Sequence, residues 1–241
     1  MRKGLRGILG GLAVAATAAC GSSSSSGAAA QPTGMSGTVG GQAFTPTEMR
    51  AISLGSGAAP CTLSLNPMDP SQVTTVGVKA VVVEAATHTD TCTDLQSSQC
   101  RLHASSQTVT LLVARLNLVP PGTEPTLGAG TYKVSTDLSH PTLESSGAYV
   151  AYAQVLAVDP SFAASTGTPV AGGTIHLDQV SGPVVGSVSL QFTDGSSVHG
   201  SFSAPFCGGP TDACALAGTL ASAIAGGAPQ GLCTQPPVTV P

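Results

Sequence analysis

The chain has 241 residues, of which 41% are hydrophobic and only 8% charged, with 30 glycines and no tryptophan. That much apolar surface excludes a wholly disordered polymer, because its burial can offset the conformational entropy lost on folding. The formal net charge is −4, and three of the eight basic residues fall in the first six positions, so the remainder lacks the clustered Lys and Arg on which phosphate binding rests; no nucleic-acid partner is expected.

Arg2, Lys3 and Arg6 precede thirteen uncharged, mostly small and apolar residues, Gly7 to Ala19. As a helix this run reaches about 20 Å, short of the roughly 30 Å hydrocarbon layer, so it reads as a signal segment and not as a span. Its end, Thr17-Ala18-Ala19-Cys20, resembles the lipobox of bacterial lipoproteins, with Thr17 standing where leucine is usual. The resemblance implies that residues 1–19 are a lipoprotein signal peptide and that Cys20 becomes the new N-terminus. Cys20 would then carry a thioether-linked diacylglycerol and an amide-linked acyl chain such as palmitate, and two or more chains suffice for stable anchoring. Gly21 stands where an aspartate would signal retention, which by the same resemblance points to the outer membrane. An ordinary secretory signal with Cys20 as a spare thiol is the alternative. Seven cysteines less Cys20 leave six, enough for three disulfides in an oxidising compartment. Residues 20–35, rich in Ser, Gly and Ala, read as the lipidated cysteine and a flexible tether.

From Ser36 the pattern has period two, broken at short intervals by Gly, Pro and Asp. Strands are expected at Gly37 to Phe44, Met49 to Leu54, Thr62 to Leu65, Val76 to Ala86, Thr108 to Leu118, Gly130 to Thr136, Tyr149 to Val158, Thr174 to Val180, Val184 to Thr193 and Ser197 to Phe206. No sustained 3.6-residue period separates them, which argues against βαβ units. The expectation is an all-β domain over residues 36–233, a two-sheet antiparallel β-sandwich, with a small β-barrel as the alternative. Thr108 to Leu118 is apolar on both faces and suits a strand buried between layers. Glu84, near the end of an apolar strand, is expected at that strand's solvent end. In Val188 to Phe202, a three-residue loop Thr193-Asp194-Gly195 with a left-handed Gly195 pairs Leu190 with Val198 and keeps the apolar sets on one face; a two-residue turn would separate them. Thr211 to Gly226 reads equally as a short C-terminal helix or another hairpin, and residues 234–241 as a loose tail.

Cys92 and Cys100 bracket a polar connection whose spacing suits a local disulfide. Cys61, Cys207, Cys214 and Cys233 then remain with their pairing open, a bridge from Cys207 to Cys214 or Cys233 being one way to tie the C-terminal segment down. No Cys-x-x-Cys pair occurs, so no zinc site, other metal or cofactor is assigned. His88, Asp90, Cys92 and Asp94 would share one side of an extended chain, which could form part of a cation site, but a solvated disulfide-closed loop accounts for them. His176 and Asp178 lie two apart on one strand with His199 on the next hairpin. No nucleophile elbow or related motif accompanies them, so no catalytic residue is assigned and no enzyme is expected. Tyr132, Tyr149 and Tyr152 are too few, and Tyr149 and Tyr152 too oppositely directed, to mark a binding platform.

Two stretches, Ser36-Gly-Thr-Val-Gly-Gly-Gln-Ala-Phe-Thr-Pro46 and Gly200-Ser-Phe-Ser-Ala-Pro-Phe-Cys207, resemble lipobox-bearing lipoproteins of GC-rich Gram-negative bacteria that are built on a small all-β domain and carry no assigned activity. The resemblance implies the lipid site and the all-β class and nothing of activity; the leading reading is a lipid-anchored outer-membrane protein, facing the periplasm or the cell surface, whose domain is a structural or interaction module with its protein or glycan partner unidentified. Its rivals are a secreted glycan- or peptide-binding protein and a hydrolase using His176, Asp178 or His199.

Overall fold

The computed structural model describes residues 34–55, 61–64, 73–96, 99–117, 123–136, 142–144, 147–162, 164–208, 214 and 235–240. Among the described residues there are fourteen strands and one short helix: β1 Ser36–Val39, β2 Gln42–Phe44, β3 Glu48–Gly55, β4 Cys61–Ser64, β5 Val73–Ala86, α1 Thr91–Gln96, β6 Gln99–His103, β7 Ser106–Asn117, β8 Gly130–Lys133, β9 Thr142–Glu144, β10 Gly147–Val158, β11 Ala164–Gln179, β12 Val184–Phe192, β13 Ser197–Ala204 and β14 Gln235–Val240. Eleven of the strands form two packed antiparallel sheets of six and five that do not close into a barrel, an all-β sandwich, while β4 pairs with β5 and β14 with β6. The front sheet runs β2-β1-β13-β12-β11 with β8 on the far edge of β11, and the back sheet runs β10-β7-β5-β3 with β9 beside β10.

The two sheets share one strand. The first part of β11, Ala164 to Pro169, pairs with β10, whereas Val170 to Gln179 pairs with β12. A register shift between Val170 and Gly172 marks the bend where the strand passes from one layer to the other. Alternation then decides what lies between the layers. Ile175, Leu177, Val188, Leu190, Val198 and Phe202 from the front sheet meet Met49, Val81, Val83, Val109, Leu111, Ala151 and Val155 from the back sheet in one core. The outward neighbours of the back-sheet residues, Ile52, Val78, Val82, Leu112 and Val150, are buried as well, in a second cluster on the far side of that sheet. The double-faced burial expected of Thr108 to Leu118 is thus observed in β7, and the same holds for β5 and β10.

The Asp194 hairpin follows the register argument. Leu190 pairs with Val198, Phe192 N–H donates to Ser196 O at 2.9 Å, and Gly195 has a φ of 83°. Asp194 Oδ1 accepts the Ser196 N–H at 2.8 Å, which holds that carboxyl below its ordinary range.

Other expectations are corrected. Gly37 to Phe44 is not one strand, because the chain reverses at the Gly40-Gly41 pair, a sequence suited to a tight hairpin turn, and β1 pairs back on β2. β11 begins ten residues earlier than expected, since its first part has no period-two pattern of its own and is held by β10. The connection after β5 contains α1 and β6, and residues 235–240 are not a loose tail but a strand parallel to β6. Thr211 to Gly226, save Cys214, lies outside the described residues.

Candidate functional site

The polar groups that converge do so at the end of the back sheet, where β5 runs out and α1 folds over its outer face. Thr87 closes the end of β5 on β7, its N–H donating to Gln107 O at 3.0 Å. The chain then turns through Asp90, whose φ is 72°, and Asp90 O accepts from Thr93 and Asp94 N–H as α1 begins. Thr91 is fully buried there because Glu48, at the start of β3, accepts both its N–H at 3.1 Å and its hydroxyl at 2.5 Å. Burial pushes the Glu48 carboxyl up, but the two bonds from Thr91 and the Arg50 guanidinium at 3.0 Å outweigh it and leave it below its ordinary value.

These contacts aim α1 so that Asp94 points inward, its side chain only 8% exposed. His88 Nε2 and His103 Nε2 both lie 2.9 Å from Asp94 Oδ2. The two imidazoles stack, with centroids 3.8 Å apart and planes 18° from parallel. Arg101 Nε stands 3.5 Å from Asp94 Oδ1, an ion pair without hydrogen-bond geometry. His103 is fixed at the end of β6 by Ser106 Oγ, which donates to its carbonyl at 2.6 Å.

Glu84 sits beneath this cluster on the outer face of β5, opposite Arg50 on β3 and Thr110 on β7. It is buried, not at a solvent end as its position in the strand suggested, because α1 covers that end of the sheet. Burial, with the charges of Asp94 and Glu48 nearby, pushes its carboxyl up to about 8.

Of the residues expected on one side of an extended segment, the fold unites His88 and Asp94 and separates the others. The extended reading fails at Thr91, where the chain turns into α1: Asp90 is exposed, and Cys92 bonds not to Cys100 but to Cys207. The reason lies at the other end of the chain. After β13, Phe206 and Cys207 run alongside Ala51 of β3, with Cys207 N–H donating to Ala51 O at 2.8 Å, which brings Cys207 onto the outer face that α1 covers. Cys207 therefore bonds neither to Cys214 nor to Cys233; Cys61 takes Cys214. Both bridges belong to the outer cluster of the back sheet. Cys20, Cys233 and the side chain of Cys100 lie outside the described residues. His103 was not singled out by sequence, since it stands fifteen residues from His88 across a helix and a strand; the only available signal was the His-x5-Asp-x8-His spacing.

On the front sheet, His176 Nε2 contacts Asp178 Oδ1 at 3.1 Å and His176 Nδ1 meets Thr131 Oγ1 at 2.7 Å, all exposed to solvent. His199 is on β13 while His176 is on β11, with β12 between and a two-residue offset in register, so their backbones are about 12 Å apart. Tyr132 and Tyr149 pack edge to face at 5.3 Å within the core. Tyr152 lies on the opposite face, against the outer cluster.

The fold and site thus define an all-β sandwich, closed by at least two disulfides that fit an oxidising, extracytoplasmic compartment, with a His/Asp/His cluster at one end. Among the described residues no helix is long and apolar enough to cross a membrane. No protein-family model, curated protein or solved structure matches the chain.

Proposed function

We propose that the protein is an exported lipoprotein, acylated at Cys20 and held at the outer membrane, whose disulfide-bonded β-sandwich serves as a structural or interaction module. The observation that carries this reading is the order of residues in the sequence: three basic residues, a thirteen-residue apolar run too short to span, small residues leading to Cys20, then a Ser/Gly-rich tether. The Cys61–Cys214 and Cys92–Cys207 bridges support export, because such bonds persist in oxidising compartments. The strong bias of the body toward acidic residues fits a partner other than nucleic acid.

Globomycin treatment of expressing cells, followed by mass analysis of the N-terminus, tests the reading. The expected result is an accumulated, diacylglyceryl-modified precursor, with untreated protein beginning at an acylated Cys20. Cys20→Ala should leave the membrane fraction. A mature N-terminus elsewhere, or an unmodified Cys20 thiol in the membrane fraction, would overturn it.

A further inference from the structure

The His88–Asp94–His103 cluster is the one place among the described residues where three metal-ligating side chains converge, their donor atoms all within 4.8 Å of one another. The three donors come from separate elements, each fixed independently. His88 lies in the β5–α1 turn; Asp94 is on α1, which is held by the Glu48–Thr91 bonds and the Cys92–Cys207 bridge; His103 ends β6, with Ser106 on its carbonyl. Such a constellation is assembled before any ligand arrives, so little ordering cost falls on binding.

Two imidazole nitrogens and one carboxylate oxygen are a donor set for borderline divalent ions of the first transition row. Bonds of about 2.0–2.2 Å in a tetrahedral array separate donor atoms by roughly 3.3 Å. The two nitrogens stand 2.9 Å from Asp94 Oδ2, so each pair needs to open by only a few tenths of an ångström, within the reach of small side-chain rotations. Without an ion, both rings must direct an Nε2–H at the same oxygen, and Asp94 Oδ1 has no hydrogen bond. An ion replaces the two converging protons with one shared charge. Glu48 adds a second carboxylate near Asp94, offset by Arg50 and Arg101.

We propose that His88, Asp94 and His103 bind a borderline divalent metal ion, Zn²⁺ foremost, leaving a further coordination position for water or an external ligand.

The test uses the full chain as exported, purified in mild detergent under non-reducing conditions, stripped with EDTA and desalted. Calorimetric titration with Zn²⁺ should give saturable binding of one ion per chain, and Co²⁺ should give visible absorption bands of low-coordinate nitrogen and oxygen ligation. His88→Ala and His103→Ala should each weaken Zn²⁺ binding by more than the roughly 10–100-fold cost of losing an outer-shell partner and abolish the Co²⁺ bands. His176→Ala and His199→Ala should leave both unchanged. Because an alanine could loosen this corner, Asp94→Asn and His103→Gln keep the side-chain shape, with circular dichroism and a disulfide map checking the fold. The proposal is overturned if the wild-type chain binds no Zn²⁺ saturably. It also fails if folded Asp94→Asn or the His88→Ala/His103→Ala double variant binds as tightly as wild type, or if binding is lost with His176.

Discussion

Replacing Glu84 by glutamine tests the account of the covered end of the back sheet. Glu84 is 9% exposed, lies opposite Arg50, and gains nothing from it because that guanidinium turns to Glu48. The groups facing it from neighbouring elements are Glu48 and Arg50 on β3 and Asp94 on α1, with His88, His103 and Arg101 gathered around Asp94. Its carboxyl is pushed from an ordinary 4.5 up to about 8. Below the ordinary value both folded and unfolded chains hold the proton, and stability is unaffected. As pH rises from about 4.5 to about 8 the unfolded chain gives up that proton and the folded chain keeps it, so stability falls across this window. At 1.36 kcal/mol for each pH unit, the loss is capped at about 5 kcal/mol and is of the order of 3 kcal/mol by neutral pH. Glu84→Gln preserves the shape of the side chain and removes the proton. The variant should match wild type near pH 4.5 and exceed it progressively up to pH 8, by a few kcal/mol, or on the order of 10 °C in Tm for a domain of this size. Urea unfolding between pH 4.5 and 8, with disulfides intact and EDTA present so that no bound ion offsets the charges, measures the difference directly. Parallel stability curves for the two proteins across that range would refute the claim that Glu84 is buried as a neutral acid.

Two further outcomes follow from the backbone and the bridges. Non-reducing peptide mapping should recover Cys61–Cys214 and Cys92–Cys207 linked peptides, and Cys92→Ala/Cys207→Ala should cost about 3–5 kcal/mol in denaturant unfolding, because the bridge closes a loop of 115 residues; a Cys92–Cys100 peptide would contradict the structure. Gly173→Ala should destabilise by several kcal/mol in a thermal melt, since φ there is 139° and a Cβ would fall on the Ser189 carbonyl oxygen; a Tm within 2–3 °C of wild type would mean the bend of β11 is not built as described.

What sequence conveys about this protein tracks the range of the forces involved. The β12–β13 hairpin was legible to the residue, because turn chemistry at Asp194-Gly195 and the side-chain alternation of Leu190, Phe192, Val198 and Phe202 impose the same register. The double-sided apolar pattern of β7 likewise announced a strand buried on both faces. The first part of β11 escaped because Thr166 to Gly173 has little hydrophobic patterning; it is a strand by virtue of β10 beside it. The disulfides escaped for a different reason. A loop of seven intervening residues is entropically the easier closure, yet the choice was made by tertiary packing, which carries Cys207 back over β3 to α1. The candidate site combined both cases: His88 and Asp94 stood out as a polar run, while His103, Glu48 and Glu84 joined them only through the chain reversal at α1 and the cover it lays over the sheet.

The two bridges are nested, with Cys92 and Cys207 falling inside the span from Cys61 to Cys214. To a protease, the body is a ring within a ring. One cut anywhere between Cys61 and Cys214 opens the outer ring without dividing the molecule. A pair of cuts, one between Cys61 and Cys92 and one between Cys92 and Cys207, still leaves all three pieces covalently joined through Cys207 and Cys214. Between Cys61 and Cys214 a single nick therefore releases nothing: a separate fragment requires a reductant, two cuts within one interval between neighbouring bridged cysteines, or one cut on each side of the inner ring, between Cys61 and Cys92 and between Cys207 and Cys214.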